Sequence, residues 1–283
     1  MTLSRNIRTA LIAFLAVVYT ILTIRYHDWA QQFVISVQKE PAWTWGAVTG
    51  IVIILGSMAL LFTSRWKPQA QPGRNRTLLI LWISTAVFVG LSHWLLMSVH
   101  TEAIHFLQYG IFSAMVFSVV RRIPATMMIT TLVGMLDEAY QFWFLYPDWP
   151  VYYDFNDVIL NSLAGGMMLL FLLSTFPEML HDDSNDRWPI RNIDMLLFAV
   201  IAFVFVTGVS TGLIALYKYP DLDMSKTLLL LHRTTPPDNI WYYAWWSGKH
   251  FLALSSVNGL IILFLIPLFY RTTLPRLRIG SSS

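Results

Sequence analysis

The chain has 283 residues and a formal net charge of +3, with 56% hydrophobic residues against 12% charged. Together with a mean hydropathy of +0.56, this excludes an ordinary soluble domain and points to a polytopic membrane protein. The absence of cysteine excludes disulfides, thiolate metal sites and a cysteine nucleophile, and the cations form no patch interleaved with aromatics, so nucleic acid is not an expected partner.

A helix needs about 20 mostly apolar residues to cross a hydrocarbon core of about 30 Å. By that measure the sequence predicts an all-α integral membrane bundle of about eight transmembrane helices, over 7–24, 45–63, 77–99, 103–120, 123–146, 154–176, 194–217 and 250–270. The first follows Arg5, includes Arg8 and runs into Arg25 without a small-residue cleavage signal, which reads as a retained signal anchor. The stretch 65–76 carries Arg65, Lys67, Arg74 and Arg76 with Pro68 and Pro72, and reads as an inner loop. It divides a two-helix portion, 1–76, from a four-helix core, 77–176. A C-terminal two-helix portion follows, 177–283, beginning with the acidic, solvated segment 181–186.

The segment 218–249 is the longest predicted outer connection. After Pro236-Pro237 it carries Trp241, Tyr242, Tyr243, Trp245 and Trp246, residues that favour the headgroup level. It reads either as an interfacial loop resting on the outer leaflet or as a lid offering His232, Arg233 and Lys249 to an anionic headgroup. Loop cations set the orientation. With both termini cytoplasmic, the inner segments hold Arg5, Arg8, Arg65, Lys67, Arg74, Arg76, Arg121, Arg122, Arg187, Arg191, Arg271, Arg276 and Arg278, which is thirteen of the 19 Lys and Arg residues.

Polar residues interrupt the fourth, fifth and sixth spans in three clusters: Glu102/His105/Tyr109, Asp137/Glu138/Gln141 and Asp154/Asp157/Asn161. The first and third repeat an i, i+3, i+7 spacing that lines one helix face, with Gly165 continuing the third stripe. Asp137 and Glu138 diverge by about 100° around their helix, so one is expected to face its neighbours and the other a flank. Counting at 1.5 Å per residue from the predicted inner ends places His105 at about 24 Å, and Glu138 and Asn161 at about 22 Å. All three clusters therefore reach the outer third of a bilayer. Gly110, Gly134 and Gly165-Gly166 are expected to let the helices approach closely there.

An ionisable side chain within a bilayer costs about 2.5–3.5 kcal/mol and persists mainly where it has a task. Such a pocket suits a divalent cation, Mg²⁺ or Ca²⁺, or a transition metal with His105, Glu138 and Asp157 as ligands. It equally suits acid–base catalysis by Glu102, His105, Asp137, Glu138 and Asp157. Tyr109, Gln141, Asp154 and Asn161, with His232 and Arg233 above, are then candidate substrate-binding residues. Ligand or lipid binding without chemistry, proton or ion transport and a purely structural network are the other readings. His93 and His100 on the third span are weaker candidates, and His250 reads as an interface residue opening the last span.

At these residues the chain resembles the VanZ-like family, named after a membrane protein associated with teicoplanin resistance. The resemblance lies in the order Glu102-x-x-His105 with Tyr109-Gly110, then Asp137-Glu138-x-x-Gln141, then Asp154-x-x-Asp157-Val158-x-x-Asn161 and Gly165. It covers 77–176. Gln108 departs from the glutamate that related members often carry before the tyrosine, and Pro147-Asp148-Trp149 lacks a common arginine. The resemblance implies a glycopeptide-resistance-like role at the outer surface of the bacterial inner membrane, and the expected function is recognition or modification of a lipid or lipid-linked envelope precursor.

Overall fold

The computed structural model describes residues 5–26, 29, 32, 72–97, 102, 104–145, 153–176, 193–217, 223, 225–231, 241–244, 248–254 and 256–273. Among them are seven α-helices: α1 (Arg5–Arg25), α2 (Pro72–Leu95), α3 (Ile104–Val120), α4 (Ile123–Tyr140), α5 (Phe155–Thr175), α6 (Ile193–Thr211) and α7 (Ser256–Thr273). The protein is mainly helical, as its hydropathy predicts. The predicted span 45–63 lies outside the described residues.

Two helical segments, Arg76–Leu95 and Phe155–Thr175, are long and apolar enough to cross a membrane by length and composition. Four others, Ala10–Arg25, Ile104–Val120, Leu196–Thr211 and Val257–Thr273, are apolar but shorter. Helices α6 and α7 are shorter than the hydropathy windows suggest, for identifiable reasons. Gly212, at φ 76°, terminates α6, and Ile214–Ala215 then forms β1, which pairs in parallel with β2 (Leu229–Leu230). Helix α7 starts at Ser256 rather than His250, because Lys249–Leu252 is β4, the return strand of a hairpin with β3 (Trp241–Ala244). The aromatic, alternating character of Trp241-Tyr242-Tyr243 favours a strand, and His250 packs on Tyr243 across the hairpin with ring centroids 4.9 Å apart. These short pairings are minor additions to a mostly helical fold that is compatible with the all-α expectation.

Helix α5 is the hub. Nearly all of its side chains are buried, and it packs on α2, α3, α4 and α7, while α1 lies against α3 and α4, and α6 against α4. Its small residues permit this. A Cβ at Gly166 would collide with the ring of Tyr270 on α7, whose hydroxyl hydrogen bonds Thr85 of α2 at 2.9 Å. A Cβ at Gly134 of α4 would stand 2.9 Å from Asn161 Nδ2 on α5. Thr131 and Ser162 join the same two helices by a 2.8 Å hydrogen bond.

The connection between α3 and α4 is two residues long. Arg121 adopts the left-handed region, φ 58°, a conformation uncommon outside glycine that ends a helix abruptly. Arg122 is extended at the N-terminus of α4, and Pro124 occupies its first turn, where a missing N–H costs nothing. The tight reversal makes α3 and α4 an antiparallel pair. Their far ends, which carry His105 and Glu138, are thereby brought together.

Candidate functional site

The three predicted clusters meet at the end of the bundle remote from Arg121. From α3, Tyr109 donates a hydrogen bond to Asp137 Oδ2 of α4 at 2.8 Å, and His105 Nδ1 stands 2.8 Å from Asn161 Oδ1 of α5. Within α4, Gln141 Nε2 donates to Glu138 Oε1 at 2.9 Å. His105 Nε2 faces Asp157 Oδ2 at 3.7 Å, and the rings of His105 and Tyr109 are stacked, 6.2 Å between centroids. Glu138 lies in the field of Asp157 first, then Asp137, Asp154 and Glu102. Five carboxyl groups and one imidazole share one neighbourhood.

Burial is deep. His105, Tyr109, Asp137, Glu138, Gln141 and Asn161 are all buried, whereas the Asp157 side chain keeps 18% of its exposure and Glu102 and Asp154 are half-buried. The mouth of the cluster is therefore on the side of Asp157, Asp154 and Glu102. The expectation that one of Asp137 and Glu138 would face a flank is corrected: both turn inward. The exposed position of α4 at this level is Leu136, while Asp137 and Glu138 are both buried.

Two further expectations change in detail. Glu102 precedes α3, which begins at Ile104, so it does not share a helical stripe with His105. Asp154 is the N-cap of α5, with extended backbone and its side chain accepting from Asn156 N at 2.8 Å. Asp157 then falls in the first helical turn, where the helix dipole favours a carboxylate. His93 is exposed on α2 and stands 3.2 Å from Met97 Sδ, away from the cluster. His100, His232 and Arg233 lie outside the described residues, so the proposed lid is not placed.

The contacts shown within the cluster are hydrogen bonds and the approach of His105 to Asp157. Among the described residues, no group of three or more His, Asp or Glu side chains is arranged to hold a metal ion. The amide oxygen of Asn161 is an acceptor, so it selects the His105 tautomer bearing its proton on Nδ1. Nε2 is left as the exchangeable nitrogen, turned toward Asp157. Helix α4 then widens into a π-helical segment, Gln141–Leu145, directly beyond the acids. Such widenings recur at functional sites.

Asn156 and Tyr153 were not singled out by sequence. Asn156 Nδ2 donates to the carbonyls of Leu96 at 3.0 Å and Leu252 at 2.9 Å, and its Oδ1 accepts from Leu254 N at 3.4 Å. It clasps the end of α2 and strand β4 to the start of α5. Tyr153 donates to Met135 O at 3.2 Å, and its own N–H donates to Leu230 O at 2.6 Å. Asn156 falls off the Asp154/Asp157/Asn161 stripe, so helical periodicity passes over it; its polarity inside an apolar window was the available signal.

On the opposite face of α5, where Ile159 and Leu163 point, a cavity of about 650 Å³ opens between α2 and α7 under Leu252 and Leu254, with an almost wholly apolar lining. No protein-family model, curated protein or solved structure matches this chain.

Proposed function

We propose that this chain is a multi-pass protein of the bacterial inner membrane with a VanZ-like core and both termini cytoplasmic, which binds the headgroup of a lipid or lipid-linked envelope molecule from the outer side and performs acid–base chemistry on it. The observation that carries this reading is the His105 arrangement: Nδ1 held by Asn161, and Nε2 turned toward Asp157 beside the mouth of a buried acid cluster. Nε2 takes a proton from a headgroup or water hydroxyl. Asp157 steadies the resulting imidazolium, and Glu138, oriented by Gln141, serves as the second proton-exchanging group.

The membrane reading is supported by the outer surfaces of the helices. Phe14 on α1, Trp94 on α2, Phe203 and Val206 on α6 and Leu265 on α7 are among many large apolar side chains more than half exposed. An apolar surface of that extent is stable against lipid and unstable against water. The 650 Å³ cavity has the size and lining to receive an acyl chain of such a lipid.

A second reading, a binding module without turnover, is favoured by the pairing of Tyr109 with Asp137 and of Gln141 with Glu138. One experiment separates the two. In a bacterial strain deleted for this protein, envelope lipids are profiled by mass spectrometry after complementation with wild type, Asp157→Asn or Glu138→Gln at matched membrane levels. Catalysis predicts a species restored by wild type alone. Restoration by both variants contradicts it and leaves the binding module.

A further inference from the structure

Asp137 is wholly buried, and among the described residues only one of its carboxyl oxygens is hydrogen bonded: Oδ2 accepts from Tyr109, while Oδ1 has no partner there. A buried carboxyl oxygen without a donor bears the full loss of its hydration.

Asp157 approaches Nε2 of the one imidazole, His105, at 3.7 Å, Nδ1 of that ring is already engaged by Asn161, and the Asp137 and Glu138 carboxyls are buried side by side in the sequence of α4. A complementary ligand brings positive charge and N–H donors together. A divalent cation brings charge alone and requires convergent ligands, and no such group stands among the described residues. An ammonium group is a compact point charge with three donors and no fixed coordination geometry. Its bonds to carboxylates are of the short, charge-assisted kind.

We propose that the cluster is a primary-amine site, in which Asp137 Oδ1 and Glu138 accept from an ammonium group that enters past Asp157. This rests on the headgroup reading above and names the chemical class of the headgroup. The same ammonium chemistry is available from a lipid-borne amine or a free one.

The test is the melting temperature of the purified full chain. In neutral detergent, ethanolamine is titrated against ethylene glycol, its uncharged counterpart, and against KCl at equal ionic strength. In parallel, the protein is melted in nanodiscs containing phosphatidylethanolamine or phosphatidylglycerol. The site predicts a rise of several degrees with an amine source, lost in Asp137→Asn; Glu138→Gln serves as the second variant if the first does not fold. A rise confined to the phosphatidylethanolamine discs assigns a lipid-borne amine, and a rise with free ethanolamine shows that the amine alone suffices. The proposal is overturned if neither amine source raises the melting temperature, if ethylene glycol or KCl matches the amine, if Mg²⁺ or Ca²⁺ gives the larger rise, or if the variants respond as wild type does. Amine indifference with the lipid profile still dependent on Asp157 overturns this proposal alone, whereas an unchanged profile removes the catalytic reading itself.

Discussion

At the scale of single residues, the cluster is a set of mutual obligations. Tyr109 supplies the donor to Asp137 Oδ2, and its removal leaves that oxygen buried and unpaired. Tyr109→Phe is accordingly expected to cost about 1–3 kcal/mol, read as a lower melting temperature in detergent. Because the two groups satisfy each other, Tyr109→Phe combined with Asp137→Asn should cost less than the separate losses added together. The residues of this network were legible in the sequence because polar side chains stand out against an apolar background at helical spacing. Their pairing was not legible. That His105 meets Asn161, and Tyr109 meets Asp137, depends on helix rotations that side-chain periodicity does not fix, and Asn156 escaped notice because its partners are backbone carbonyls from distant segments.

At the scale of elements, close helix approach is what brings the network together. Glycines were expected to permit it, and Gly134 against Asn161 and Gly166 against Tyr270 do so. Gly166→Ala is predicted to destabilise by about 1–3 kcal/mol through overpacking against an aromatic ring held by Thr85. Gly90→Ala on α2, where nothing lies within 4 Å of the added methyl, is predicted to be neutral or to stabilise by roughly 0.5–1 kcal/mol. A pair of thermal melts checks both. The ends of the elements were less legible than their existence. Hydropathy does not distinguish a helix from a buried strand, so the last span was extended back over β4, and the seventh was carried through Gly212 into β1.

At the scale of the whole molecule, the apolar outer faces of α1, α2, α6 and α7, the burial of α5 and the gathering of five acids at one end describe a bundle that presents hydrocarbon sideways and charge at one mouth. The central claim is that this mouth opens to the outer side of the membrane. Because the chain has no cysteine, single cysteines report accessibility without background. In intact spheroplasts, a membrane-impermeant maleimide should label Asp157→Cys, while Arg122→Cys at the opposite end of the bundle should react only after the membrane is permeabilised. Labelling of Arg122→Cys in intact spheroplasts, with Asp157→Cys reacting only after permeabilisation, would contradict the account.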